Sequence, residues 1–239
     1  MKALFDIPVA AFELAGPGDE STLAPPEAAA VAAAGPRRRG EFAAGRQCAH
    51  AALASWGMAP APLLARHDRA PAWPAGVFGS ITHTENYALA VVARPLDAGR
   101  RAGGGAEEDR VGTAVGVGVD AERTGRLSPD LYPVVFTAAE RSWLGRTTAA
   151  RRAEAATAAF SAKEAFYKAQ HPWTGSWVGF ADVEARPASG ALELVPASSL
   201  SVLHHWSWPV AVRWTASADL VLVGVTVHRA RRSPRTRRG

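Results

Sequence analysis

Two short segments of this chain put acids and lysines where a divalent metal and a phosphate ester would need them: Gly-Val-Gly-Val-Asp120-Ala-Glu122 and Phe160-Ser-Ala-Lys163-Glu164-Ala-Phe-Tyr-Lys168. The first reads as an apolar strand, with Val115, Val117 and Val119 on one face, that ends in two carboxylates. Asp120 and Glu122 lie two residues apart. If the extended chain persists they project to the same side, with Cα atoms roughly 6.5 Å apart at about 3.3 Å per residue. The second segment lies in a run of helix formers from about Thr148 through Ala169. There Glu164 and Lys168 are neighbours on one helical face at i and i+4, and Lys163 points to an adjacent one. A hard cation such as Mg²⁺ takes oxygen ligands and sits between one or two carboxylates and substrate phosphates. Asp120, Glu122 and Glu164 supply that donor set and the lysines supply positive charge, so the chemistry is of the phosphoryl-transfer type.

Each segment taken alone also has an ordinary reading. An Asp-x-Glu after a strand suits a solvated turn. Glu164 follows Ser161 by three, the spacing of a capping box, although the Ala-rich stretch before Phe160 already reads as helix. Glu164 and Lys168 also suit a surface ion pair worth about 0.3 to 0.5 kcal/mol.

The elements that must position these residues can be read in outline. A helix is predicted from about Arg38 to Trp56, with Phe42, Cys48, Ala49, Ala52 and Leu53 available for an apolar stripe. Residues 1 to about 35 are rich in Ala and Pro and carry few periodic cues. The stretch Ala59 to Gly79, with prolines at 60, 62, 71 and 74, reads as loop with short extended pieces. Tyr87 to Ala93 reads as a strand and Ala114 to Val119 as its partner. Between them, Pro95 to Gly112 holds Gly103-Gly-Gly105 without the Gly-Lys-Ser/Thr ending that a phosphate-cradling P-loop needs. Thr137 with Glu140 makes a capping box for a short helix through Leu144. His171-Pro172 is expected to end the long helix, because the residue before proline avoids the α region. Trp177 to Val183, Leu192 to Val195, Val210 to Thr215 and Leu220 to His228 read as strands.

Composition limits the alternatives. At 239 residues the chain can bury a core as one large domain or two small ones, and its 48% hydrophobic and 21% charged residues fit a globular protein. Cys48 is the single cysteine, which excludes an internal disulfide and points to a reducing, cytoplasmic setting. The net charge of +5 invites a nucleic-acid reading, but six of the 27 basic residues (Arg229, Arg231, Arg232, Arg235, Arg237 and Arg238) lie in the last eleven positions. Without them 21 bases face 22 acids, a balance of −1, so the body is close to neutral and a nucleic-acid partner is not expected. No segment approaches the roughly 18 uninterrupted apolar residues of a membrane span, and no membrane association is expected.

Four pieces of the chain, in this order, resemble the Sfp-type 4′-phosphopantetheinyl transferases, and among them the branch similar to enterobactin synthetase component D. They are Arg37-Arg-Arg-Gly-Glu41-Phe-Ala-Ala-Gly-Arg46 with Cys48-Ala and Ala52-Leu; Trp73-Pro-Ala-Gly-Val-Phe-Gly-Ser80-Ile-Thr-His83-Thr; Gly118-Val-Asp120-Ala-Glu122; and Phe160-Ser-Ala-Lys163-Glu164 with Lys168-Ala. The likeness runs from about Arg37 to Phe180. It implies an α+β fold of two pseudo-symmetric α/β halves with the active site in the cleft between them. The expected division is 1–112 with nucleotide-anchoring residues, 113–228 with metal-binding residues, and 229–239 as a basic tail.

The resemblance further implies transfer of the 4′-phosphopantetheine arm of coenzyme A to a serine hydroxyl of an apo acyl or peptidyl carrier protein, with release of 3′,5′-ADP. Asp120, Glu122 and Glu164 would hold Mg²⁺ or Mn²⁺ against the coenzyme A diphosphate. Lys168 and Lys163 would add charge there, and His83 would contact a coenzyme A phosphate. Arg39 and Arg46 would anchor the nucleotide's phosphates, with Arg69 a further candidate. Glu164 has two roles in play, metal ligand and general base. The resemblance also implies a monomer. Its carriers would dock as acidic helical surfaces near Thr124 to Trp143. The Pro95 to Gly112 connection is longer than the family's tight one.

Overall fold

The computed structural model describes residues 2–95, 114–189, 191–217 and 219–230. Its first strand, β1 (Val9–Ala15), and first helix, α1 (Pro25–Val31), lie in the Ala/Pro-rich stretch that showed few periodic cues. α1 starts on a proline, whose missing N–H costs nothing at that position. Helix α2 (Pro36–Ala54) begins two residues before the predicted Arg38 start and ends two before the predicted Trp56. Its inner face is made of small residues, among them Ala43, Ala44, Cys48, Ala49 and Ala52, all at most 2% exposed.

Strands β2 (Phe78–Thr84) and β3 (Tyr87–Ala93) form a hairpin across Glu85 and Asn86, with Asn86 at φ +55. Asparagine tolerates that left-handed conformation better than most side chains. The predicted pairing of Tyr87–Ala93 with Ala114–Val119 does not occur. β3 lies between β1 and β2 in an antiparallel three-stranded sheet of order β1-β3-β2. The cause is its sequence: a run buried at every position after Tyr87 needs a neighbour on each edge and cover on both faces.

Strand β4 (Ala114–Arg123) instead pairs with the last strand of the chain. Short helices α3 (Tyr132–Val135) and α4 (Ala138–Arg146) follow, the latter capped by Thr137 and Glu140 as its sequence predicted. Helix α5 (Ala149–Thr174) runs through Pro172 rather than stopping at His171. Proline is tolerated there because it falls in the final turn, which Gly175 closes at φ +60 with its N–H on the His171 carbonyl. The predicted strand Trp177 to Val183 is also corrected. Residues 175–182 form an irregular connection, with a turn in which Asp182 accepts from the Gly179 N–H at 2.8 Å, and Trp177 is 72% exposed. Strands β5 (Val183–Ala188), β6 (Ala191–Pro196), β7 (Val210–Ser217) and β8 (Leu220–His228) complete an antiparallel sheet of order β4-β8-β7-β6-β5.

The fold is α+β: each sheet carries one long helix, α2 on the first and α5 on the second. Leu4, Phe5, Ile7, Val9, Phe78, Leu89 and Val91 pack with Val117 and Val119 of β4 in one buried cluster, which joins the two sheets. The Gly103-Gly-Gly105 loop and the last nine residues of the arginine tail lie outside the described residues.

Candidate active site

β4 does not stop at Val119; it continues to Arg123, so Asp120 and Glu122 belong to the strand and share the face that carries Gly116 and Gly118. The two glycines are the reason α5 lies so close. A Cβ at Gly118 would run into the carbonyl oxygen of Ala165, and one at Gly116 into that of Ala169. Only glycine admits the helix backbone there. Where the glycines end the carboxylates begin, and α5 presents Glu164 and Lys168 to that stretch of β4.

β4 is the edge of its sheet, and so is β2. The edge N–H groups of Val119 and Ala121 donate to the hydroxyls of Ser80 and Thr82, each at 3.1 Å. Two side chains at alternate positions of β2 thus take the place of a ladder between the sheets. Thr82 also donates its own hydroxyl proton to Asp120 Oδ1 at 3.1 Å, and Lys168 Nζ donates to the same oxygen at 2.6 Å. Asp120 is 5% exposed, yet its other oxygen, Oδ2, is buried without a hydrogen-bond partner.

Two further carboxyls crowd this group. Burial pushes the Glu122 carboxyl above its ordinary range, and the Asp120 charge adds to the effect. Burial does the same to Glu164, where Lys168 opposes the shift and Asp120 reinforces it. Among the described residues no three carboxylate, imidazole or thiol side chains are drawn tightly enough to enclose an ion. The expected gathering of Asp120, Glu122 and Glu164 is therefore looser than a coordination shell. Like charges spread apart, and the Lys168 ammonium already sits on Asp120. The donor chemistry nevertheless fits a hard divalent cation: all oxygen, with one buried carboxylate oxygen bare and two neighbouring carboxyls whose pKa values burial raises.

The other predicted residues divide. His83, on β2, has Nε2 3.0 Å from Arg38 Nη1 and Nδ1 3.9 Å from Glu41 Oε2; burial lowers its pKa. Lys168 and Asp120 act electrostatically on the same imidazole, so His83 belongs with them. Arg69, held at φ +67, lines a pocket of about 250 Å³ together with Glu164, Lys168, Tyr167 and Ser80. Lys163 does not join the group. Its ammonium is 1% exposed and donates to Glu140 Oε2 (2.7 Å), the Val135 carbonyl (2.9 Å) and the Phe180 carbonyl (2.7 Å). One residue from Glu164 is about 100° of helix, enough to turn Lys163 into the core. Arg39 is committed to Glu20 at 2.8 Å and to the Ala34 carbonyl. Arg46 is 6% exposed, stacked on Phe42 and 3.9 Å from the buried Glu27, on a pocket that β1 lines at the far edge of its sheet.

Comparison with known proteins bears directly on this arrangement. A family model described as the 4′-phosphopantetheinyl transferase N-terminal domain matches residues 26–93, and one described as the 4′-phosphopantetheinyl transferase superfamily matches residues 116–216. The 4′-phosphopantetheinyl transferase Svp of Streptomyces mobaraensis is 37% identical over 214 residues, covering 87% of this chain and 79% of Svp. The chain belongs to the 4′-phosphopantetheinyl transferase family. The transferase is also 38% identical to PptT of Mycobacterium tuberculosis over 161 residues, 67% of this chain and 63% of that one. To enterobactin synthase component D of Salmonella typhi it is 34% identical over 136 residues, 57% of this chain and half of the relative.

Three residues of this candidate site were not singled out from the sequence: Arg38, Thr82 and Ser80. Arg38 stood inside the Arg37–Arg39 run, where nothing ranks one arginine above its neighbours. Ser80 and Thr82 did leave a signal, two hydroxyls at strand spacing just before His83. Their use became visible only once β4 was seen to lie alongside.

Proposed function

We propose that this transferase moves the 4′-phosphopantetheine arm of coenzyme A to a serine hydroxyl of an apo acyl or peptidyl carrier protein, with Mg²⁺ or Mn²⁺ bound and 3′,5′-ADP released. The serine oxygen forms a bond to the phosphorus that carries the arm, the bond from that phosphorus to the 3′,5′-ADP oxygen breaks, and the serine proton passes to a base. One observation carries the reading: the buried, bare Oδ2 of Asp120, flanked by the half-buried carboxyls of Glu122 and Glu164. These three residues would hold the cation. When bound, it neutralises the charge that grows on the leaving diphosphate oxygens. Lys168 supplies a fixed positive charge beside them, and Arg38 with His83 offers donors to a nucleotide phosphate. Arg69, on the same pocket as Glu164, is a further contact for the substrate. Glu164 serves first as ligand and second as base; its raised pKa makes its carboxylate a stronger proton acceptor than an ordinary one.

We assign 1–112 to nucleotide anchoring and 113–228 to metal binding, with the substrate between them. The carrier side falls in Thr124 to Trp143. There Leu131 and Val134 are 48% and 69% exposed and Arg126 is half exposed, a surface suited to an acidic helix with apolar spots. Among the described residues no helix is long and apolar enough to cross a membrane. We place the reaction in the cytoplasm and take the active form to be a monomer.

The test is a mass measurement. Incubated with coenzyme A, Mg²⁺ and an apo carrier, the protein should add the mass of one phosphopantetheine arm to the carrier and lose that activity to a chelator. Coenzyme A cleavage that needs no carrier, with no carrier gaining mass across several types, would replace transfer by hydrolysis.

A further inference from the structure

We infer that Ser161 is a positioning residue of this site, its hydroxyl holding the free oxygen of Asp120 through one shared water. The inference rests on the metal reading above. Three contacts fix which face of α5 lies on β4 and the turn that follows it: Gly116 meets the carbonyl of Ala169, Gly118 meets that of Ala165, and the Gly125 N–H in the turn donates to Thr157 Oγ1 at 3.3 Å. Thr157, Ser161, Ala165 and Ala169 are spaced by four, one row along the helix. Two strand residues rise about 6.6 Å and four helical residues about 6.0 Å, so the two elements stay in step. Ser161, bracketed by Ala165 and Thr157, must therefore stand over the part of β4 that carries Asp120 and Glu122.

Two unsatisfied atoms belong to these facing stretches of helix and strand. Ser161 is fully buried, and its Oγ has no hydrogen-bond partner. A helical serine has an easy local remedy, donation to the carbonyl one turn back, which Thr157 on the same row takes by donating to the Ala153 carbonyl at 2.8 Å. Ser161 does not take it. Asp120 Oδ2 is the other unsatisfied atom. Buried polar atoms left unpaired are rare, and each asks for an explanation such as a water or an ion. A water shared by Ser161 and Asp120 satisfies both, and Mg²⁺ keeps several of its waters when bound by proteins. An outer hydrogen bond of this kind orients the carboxylate that binds the metal; its loss typically weakens metal affinity about 10- to 100-fold.

The test measures metal uptake rather than turnover. Mn²⁺ is titrated into the metal-free full-length protein, free Mn²⁺ is read by electron paramagnetic resonance, and Ser161→Ala and Ser161→Cys are compared with wild type. Both variants should bind Mn²⁺ at least about tenfold more weakly. Urea unfolding in metal-free buffer should show Ser161→Ala close to wild type, because the shared water keeps its bond to Asp120 when a methyl replaces the hydroxyl. Equal Mn²⁺ affinity in Ser161→Ala, or a loss of metal-free stability that accompanies weaker binding, overturns the inference. Failure of wild type itself to take up Mn²⁺ sinks the metal reading, and the role of Ser161 with it, before any variant is compared.

Discussion

Asp120 is the residue on which the site turns, because its two oxygens are treated differently. Oδ1 is fixed by Thr82 and Lys168, so the carboxylate cannot swing away; Oδ2 is left bare in a buried place. Glu164 lies in its field. A carboxyl whose pKa is raised on folding stabilises the protein below its ordinary value of 4.5, and that contribution is lost as pH rises through the higher folded value. In metal-free buffer, raising the pH towards neutrality therefore weakens the fold through Glu164. Glu164→Gln should melt higher than wild type near neutrality, and the gain should vanish below about pH 4.5, where both side chains are neutral. The same variant should lose most carrier modification. An equal melting difference at acid and neutral pH would mean that the buried Glu164 charge is not the cause.

At the scale of elements, the decisive feature is how closely α5 approaches β4. That approach depends on backbone, not on side chains that can move aside. Gly118→Ala puts a methyl against the Ala165 carbonyl, and relief requires the helix to lift from the strand. Overpacking of this kind costs about 1 to 3 kcal/mol. Because Glu164 and Lys168 ride on the displaced helix, activity should fall further than stability alone explains. Gly145→Ala, where an added methyl meets nothing, is the matched control. Comparable urea midpoints for the two variants would show that the helix and strand have slack. The buried Lys163–Glu140 pair works at this scale too, tying α5 to α4 and, through the Ala185 N–H on Glu140 Oε1, to β5.

Across the whole molecule, the two sheets meet at β2 and β4, and their joint is also the mount of the site. Thr82 accepts from the Ala121 N–H and donates to Asp120, so one hydroxyl serves both purposes. Thr82→Val keeps the shape and removes both bonds. The Ala121 N–H is then buried and unpaired, a cost of about 1 to 3 kcal/mol. Hydrogen exchange should report faster opening at Ala121, and carrier modification should slow. Unchanged exchange at that amide would show that the sheets are held by the Val117 and Val119 cluster alone.

Much of this was legible in the residues. The two acids at strand spacing, the Glu164–Lys168 helical face and the Thr137–Glu140 cap are local patterns, and local patterns survive folding because neighbours along the chain remain neighbours in space. The α+β class followed from the family resemblance of the four motifs. What the sequence could not assign was partnership between distant segments. β3 was matched to the wrong strand, and β1 was missed, because pairing is chosen by which edges and faces remain to be covered once the whole chain has collapsed. Lys163 looked like a site residue beside Glu164, yet one helical step turned it into the core, where Glu140 and two carbonyls hold it. Thr82 and Ser161 gained their meaning only from what lies opposite them. The sequence by itself determined which chemistry is available; the tertiary structure decided which oxygens are pinned, which are bare and which lysine faces them, because those outcomes depend on contacts between residues 38 to 49 positions apart.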